Sequence, residues 1–436
     1  MLLLTFFYLA TFQAANAQGG YDRIEKERMK SILNNIKKDI KKNYYDSNFH
    51  GIDIEARFQK AEDRLDQVAS VGQAFAVIAQ ALIDFDDSHL FFLPPATNSD
   101  VEYGFKMKLI GDKTFVTAVK PKSDAEAKGL KTGDQILMFE GFRPTKKDLW
   151  KMTYYYYVLS PKTKLRLNIL HPNAAEPQEI SVDSKIIQSK RVTDINNSND
   201  LNDLIRQSDD SSTRKISYFQ RVGNTIIWKM MTFSFDPKRV DEMMNEVRNS
   251  TNLVLDLRGN GGGYIKTLEQ LTGNFFDKDI KIADLKGREE NKKEGELMMA
   301  KSAGGKSYNG KLVVLVDSES GSAAEIFARL VQLEKRGIVL GDISAGAVMQ
   351  AQRFSGKIGS DRLVFYGTSI TNADVIMSDG KSLEHIGVVP DEIIIPTAED
   401  LAKESDPALR RAIEILGGSV SAEQAGKLFP AEKWDN

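Results

Sequence analysis

The stretch LVVLVDSESGSAAEIFARL, residues 312–330, does most to constrain how this chain can fold. Its apolar run reads as a strand buried on both faces. A polar Ser/Gly turn interrupts the run, and a helix opens at Ser322 with apolar residues returning at helical spacing. A serine at that junction sits at the positive end of a helix, where unpaired N–H groups can stabilise a developing oxyanion. Ser322-Ala323-Ala324-Glu325 is also an S-x-x-E capping box, which needs no catalytic purpose. The motif alone supports both readings.

The 436 residues are too many for one ordinary domain and predict two or three. Hydrophobic residues at 41% and charged residues at 28% describe a globular chain with ample material for a core. A net charge of −2 gives no basic field to attract nucleic acid or acidic lipid. Cysteine is absent, which excludes disulfides, thiol catalysis and Cys-zinc sites. The only histidines are His50, His89, His171 and His385, too few for a His-rich metal cluster. No metal or organic cofactor is implied. Residues 1–17, MLLLTFFYLATFQAANA, are uncharged and end in Ala15-Asn16-Ala17, the pattern of a secretory signal peptide lacking its positive n-region. Export to the periplasm or extracellular space is expected. No later run approaches ~18 apolar residues, so stable membrane insertion after signal removal is not expected.

From 21 to about 95 the apolar spacing is helical, and the run ends at DDSHLFFLPP, where Pro94 and Pro95 stop any helix. Residues 100–185 switch to alternating β-type runs (FKMKLI, TFVTAV, QILMF, KLRLNIL) around a short helix in SDAEAKGLKTGDQ. This segment resembles a PDZ domain, whose groove takes a peptide as an added edge strand. The resemblance assigns peptide binding to Tyr103, Gly104 and Phe105, where that family carries its carboxylate-binding loop. The polar stretch 186–215 reads as a linker or exposed loop. From 216 to 400 strands and helices alternate, which predicts an α/β core with buried strands. A helical tail follows over 401–436. The charged segment 287–305, GREENKKEGELMMAKSAGG, shows no core pattern and reads as a surface insertion.

Arg258-Gly259-Asn260-Gly261-Gly262-Gly263 directly follows the strand LVLDL. Glycines there let the backbone turn its N–H groups towards a ligand. The dinucleotide fingerprint fails at Tyr264. Gly305-Lys306-Ser307 lacks the first P-loop glycine and a preceding strand, so an oxyanion loop fits better than a phosphate loop.

LVLDLRGNGGG, then VVLVDSESGSAAEIFA, then EHIGVVPDEII and DPALRRAIEIL, preceded by a PDZ-like segment, together resemble the tail-specific or C-terminal processing peptidases of the S41 serine peptidase family. The resemblance implies a ClpP/crotonase-like layered α/β core with an N-terminal helical subdomain and an inserted PDZ-like β domain. It makes Ser322 the nucleophile rather than Ser318 or Ser320. It places the oxyanion hole at the amide of Ala323 and an amide of Gly261 or Gly262. One departure stands out. The Ser-Lys branch puts its lysine in a G-x-x-x-x-G-K stretch, and here Gly341-Asp342-Ile343-Ser344-Ala345-Gly346-Ala347 ends in alanine. Asp87-Ser88-His89 resembles the Ser-His pair of the tricorn-core branch, and Glu384 matches the glutamate that completes it. His89 would then take the Ser322 proton, with Ser88 and Glu384 as its orienting relay. Without that resemblance His89 reads as a helix-terminating histidine bonded to nearby backbone. His385 competes as the base, although neighbours on an extended segment face opposite ways. Asp256 and Arg258 read as braces of the glycine loop.

Three functions remain open. One is an exported serine endopeptidase acting on unfolded or C-terminally exposed polypeptides through an acyl-enzyme. The second is an inactive peptide-binding adaptor on the same fold, motivated by Ala347. The third is an esterase or other acyl hydrolase. The partner in the first two is a polypeptide, held through its C-terminus.

Overall fold

The structure, a computed structural model, describes residues 21–95, 99–188, 216–288, 297–359 and 364–429. The expected signal peptide at 1–17, most of the expected linker over 186–215 and the end of the helical tail lie outside the described residues. Among the described residues no helix is long and apolar enough to cross a membrane.

The N-terminal segment folds into helices Arg23–Asn43, Ile54–Leu65 and Val71–Ile83. Asp22, Asp53 and Ser70 cap them by accepting the amides of Glu25, Ala56 and Gln73. The first helix buries Met29, Ile32, Leu33, Ile36 and Ile40, a stripe at three- and four-residue spacing. This apolar layer packs on Tyr366 and Ile370 of the long strand Val364–Met377.

Residues 105–183 form a five-stranded antiparallel sheet in sequence order, from Phe105–Ile110 to Gln178–Asp183. Its core is Tyr103, Phe105, Val116, Ala125, Leu130 and Ile136 with their neighbours. Ser99–Glu102 pairs antiparallel with Lys185–Gln188, so the chain enters and leaves this unit through a two-stranded neck. The neck strand Lys185–Gln188 occupies the first residues of the segment expected to be linker. Its apolar pair Ile186-Ile187 stays exposed, which is why burial patterning gave no signal there.

A mixed six-stranded sheet forms the centre, in the order Glu392–Ile393, Ile338–Gly341, Lys311–Val316, Asn252–Asp256, Thr225–Met230, Ser217–Val222. All neighbouring pairs are parallel except the last. Both faces are covered. Leu312, Val314 and Val316 face one core and Val313 and Leu315 the other, the period-2 split of a strand buried on both sides. The second face is covered by the helix Pro407–Ile415 through Ala408, Leu409, Ala412 and Ile413.

A second, antiparallel sheet carries Phe91–Leu93, Met349–Ile358, Val364–Met377, Ile280–Lys286 and Leu297–Ala300. The segment 287–305 is therefore not wholly a surface insertion. Its strand Leu297–Ala300 pairs with Ile280–Lys286 and buries Met298 and Ala300. A four-residue alternation next to a charged run is too short to stand out as a strand. Residues 289–296 lie outside the described residues.

Leu409→Ala should lower unfolding stability by about 2–5 kcal/mol, because the fully buried Leu409 closes one face of the central sheet. Urea denaturation should show a lower midpoint with the slope unchanged; an unchanged midpoint would contradict this packing role.

Candidate active site

The strand Lys311–Val316 delivers the chain to a turn in which every hydroxyl but one is directed away from the cavity beyond it. Ser318 Oγ donates to Leu109 O, and Ser320 is fully buried with its Oγ on Leu257 O at 2.8 Å. Ser322 follows, with φ +52° and ψ −117°, directly before the helix Ala323–Leu333. This conformation costs a non-glycine residue roughly 1–3 kcal/mol and persists only where its surroundings dictate it. Here the Ser322 N–H donates to Ala347 O at 2.9 Å and to Glu325 Oε2 at 3.0 Å. Glu325, with no exposed surface, also accepts Ser344 Oγ at 2.6 Å, Gly346 N–H at 2.8 Å and Ala347 N–H at 3.0 Å. Burial raises its carboxyl above the ordinary range while these donors pull it back.

The glycine loop lies against this serine. Gly262 has φ +91°, and a Cβ there would stand 2.7 Å from Ser322 Cβ and 2.8 Å from Gly321 O, so only glycine fits. The buried Asn260 organises the loop: its Nδ2 donates to Met230 O at 2.9 Å and its Oδ1 accepts the Gly262 N–H at 2.9 Å. That bond corrects one sequence expectation, since the Gly262 amide is already engaged. Among the described residues no acceptor takes the N–H of Gly261 or of Ala323. Asn260 went unnoticed in the sequence, although its place inside RGNGGG was the available signal.

His89 reaches the same place from another part of the chain. The strand Phe91–Leu93 pairs with Val364–Met377, with Phe91 opposite Ser369. Just before it, Asp87 Oδ1 accepts the amides of His89 at 2.8 Å and Leu90 at 3.1 Å and Thr371 Oγ1 at 2.7 Å. Its Oδ2 accepts Tyr44 O–H at 2.9 Å. Ser88 Oγ donates to Glu384 Oε2 at 2.9 Å and stands 2.7 Å from His89 Nδ1. Glu384 also accepts the amides of Ser88 at 2.9 Å and Val348 at 2.8 Å. Because Ser88 gives its proton to the carboxylate, it can only accept from His89, so the hydrogen sits on Nδ1 and Nε2 is free. Burial pushes the His89 pKa down, with Asp87 opposing it. Burial pushes Glu384 up against the pull of its donors.

Ser322, His89, Ser88, Gly261, Gly262, Ala323 and Ala347 all line one cavity of about 550 Å³. Glu384 stands behind Ser88 and does not line it. His385 lies apart: φ +61° turns it outward, and its exposed ring bonds Asp86 O through Nε2 at 2.8 Å. Tyr103, Gly104 and Phe105 are also elsewhere, at the neck of the β unit. The Tyr103 side chain is buried, its hydroxyl on Lys162 O at 2.8 Å and Tyr156 O at 3.2 Å. The Phe105 side chain is buried as well. Asp256 and Arg258 pair at 2.8 Å, and Arg258 pairs again with Asp406 at 2.7 Å, a brace beside the loop.

Residues 226–394 match the model described as peptidase family S41. The chain carries an S41 peptidase domain, of the serine type. The carboxyl-terminal-processing protease of Synechocystis sp. is 23% identical over 317 residues, covering 71% of this chain and 66% of that protein. The tail-specific protease of Haemophilus influenzae is 25% identical over 288 residues, covering 61% of this chain and 38% of that protein. The chain thus spans two thirds or less of the length of these two relatives. Among solved structures, mature CPAF superposes with a TM-score of 0.64 at 13% identity, over 87% of this chain and 94% of that one. The photosystem II D1 C-terminal processing protease gives 0.53 at 17% identity, over 92% and 99%. These two likenesses speak to the fold.

Glu325→Ala should destabilise the S41 domain by about 3 kcal/mol or more, since three amides and a hydroxyl lose their buried acceptor. An unchanged denaturation midpoint would show that this carboxylate does not hold the Ser322 loop.

Proposed function

We propose that the chain is an exported serine endopeptidase that cleaves unfolded or C-terminally exposed polypeptides through an acyl-enzyme on Ser322. The observation that carries this is the shared cavity of Ser322 and His89, with His89 backed by Ser88 and Glu384. His89 Nε2 takes the Ser322 proton as Oγ attacks the scissile carbonyl carbon. The carbonyl oxygen becomes an oxyanion, and the free amides of Ala323 and Gly261 are the donors suited to it. Ala323 opens a helix, which adds the positive end of the helix dipole. His89 then protonates the leaving amine, and the mirror-image steps with water release the acyl group.

The β unit is read as a PDZ-like module. Its antiparallel strand order and the outer position of Phe105–Ile110, which among the described residues has no second strand partner although Leu109 O accepts the Ser318 hydroxyl, suit capture of an extended C-terminus by strand addition near Tyr103–Phe105. Capture would rest on backbone amides at Tyr103–Phe105, since the Tyr103 side chain is committed to the interior. Relatives named carboxyl-terminal-processing and tail-specific proteases support a polypeptide substrate engaged near its end. The uncharged stretch at 1–17 supports export.

Ala347 favours a second reading, a non-catalytic adaptor. Its carbonyl holds the Ser322 amide, so the position that carries lysine in the Ser-Lys branch is next to the serine and has no base.

Casein digestion separates the two. Wild-type cleavage should fall on the order of 10³-fold or more in Ser322→Ala and His89→Ala, with the fold retained. A silent wild type that gains activity on Ala347→Lys would instead establish the adaptor.

The pH profile gives an independent check. The buried His89 has a folded-state pKa below the ordinary ~6.5, so it stays neutral to lower pH than a free imidazole. Activity should be full above ~6.5 and fall only as pH drops through the lowered value, placing the acid limb of kcat/KM below ~6.5. A limb at or above that pH would exclude a desolvated histidine as the base.

A further inference from the structure

The cavity beside Ser322 has an uneven charge. Its deeper wall is apolar, with Ile265, Leu268, Met298, Ile326 and Val375. No aspartate or glutamate lines it, and apart from His89 its single charged lining residue is Arg353. Arg353 belongs to the strand Met349–Ile358, which pairs with Val364–Met377 along one edge, Arg353 opposite Ser369. Among the described residues no strand pairs with its other edge. Met349, Gln350, Ala351 and Arg353 all border the cavity, and a bulge at Gln350/Ala351 presents consecutive residues to it. The Arg353 side chain is exposed, and among the described residues no carboxylate lies within ion-pair distance of it.

An unpaired guanidinium at the rim of an otherwise neutral cavity favours a planar anion, which it can hold through two parallel hydrogen bonds. We propose that Arg353 is a specificity residue that receives a carboxylate of the substrate close to the scissile bond. The carboxylate is supplied either by an acidic side chain or by the free end of the chain. The inference rests on Ser322 marking the place where substrate lies.

The test starts from a neutral, amide-terminated peptide taken from a casein sequence. It is compared with the same peptide carrying one glutamate, moved position by position, and with the same peptide bearing a free C-terminal carboxylate. Wild type should prefer at least one carboxylate-bearing form by roughly tenfold or more in kcat/KM. Arg353→Glu should abolish or invert that ratio, and Arg353→Lys should keep part of it. Using the ratio cancels any general loss of turnover in a variant. A preference confined to the glutamate series assigns a side chain; one confined to the free acid assigns the chain end. The same peptides are then titrated onto Ser322→Ala, where the preference should reappear in Kd without turnover. Equal ratios in wild type and Arg353→Glu, or equal Kd values for all peptides, would overturn the proposal whether or not the chain cleaves. Failure of every peptide to be cut, with the binding preference intact, would instead count against Ser322 as a nucleophile and leave Arg353 standing.

Discussion

The strained backbone at Ser322 depends on a single buried carboxylate. Glu325, one turn into the helix that Ser322 opens, reaches back to the Ser322 amide and across to Ser344, Gly346 and Ala347. A carboxylate with no exposed surface is costly unless its oxygens are filled, and these four donors fill them. The arrangement has two effects. It offsets the strain at φ +52°, and it fixes the 344–347 loop against the serine, so that Ala347 O completes the hold on the same amide. The S-x-x-E spacing, which on its own supported both capping and catalysis, thus goes with a Ser322 that lines the cavity.

A second carboxylate joins this centre to the β unit. Asp317 Oδ1 accepts the amides of Gly259, Glu319 and Ser320, tying the glycine loop to the turn before Ser322. Its other oxygen pairs with Lys108, on the outer strand Phe105–Ile110, which also reaches Glu319 at 2.8 Å. Burial would push the Lys108 ammonium down, but Asp317 and Glu319 outweigh it and hold its pKa above the ordinary value. The Ser318 hydroxyl on Leu109 O and the Gly111 amide on Asp342 at 2.7 Å add contacts along the same seam. The strand proposed to take a peptide is therefore in direct hydrogen-bonded contact with the loop that carries the proposed nucleophile.

How much of this the sequence disclosed followed from how local each signal was. The strand-turn-helix at 312–330 and the glycine loop are short, contiguous and chemically distinctive, and residues of both line one cavity. Residues 88, 89 and 384 could be grouped only by resemblance, because no local pattern links positions nearly 300 residues apart; their contact is made by the pairing of Phe91–Leu93 with Val364–Met377. The engaged Gly262 amide was illegible because it depends on the Asn260 side chain folding back over two residues. Tyr103 is a ligand contact only by the PDZ resemblance, and its burial was illegible because its hydroxyl partners, Lys162 and Tyr156, lie more than fifty residues on. The strand Leu297–Ala300 was hidden by its length and its charged neighbours. Arg353 carried no motif at all; only the placement of its strand at the cavity rim distinguishes it.

The acids around the site share one disposition, and it bears on the chemistry proposed. Glu325, Asp317, Asp87 and Glu384 surround the Ser322–His89 cavity, yet none of them lines it. Each spends its lone pairs on donors behind the wall, amides and hydroxyls in every case and, for Asp317, the Lys108 ammonium as well. A bare carboxylate facing Ser322 would oppose the negative charge that forms on the substrate oxygen during acyl transfer. Set back behind donors, these acids leave the proposed oxyanion side of the cavity to the amides of Gly261 and Ala323, which no acceptor takes among the described residues. On the other side, the imidazolium formed at His89 would meet Asp87 through its own backbone amide and Glu384 through the Ser88 hydroxyl. The same residues thus hold the backbone in its strained form and separate the two charges that the proposed reaction creates, so stability and reactivity at this centre rest on the same bonds.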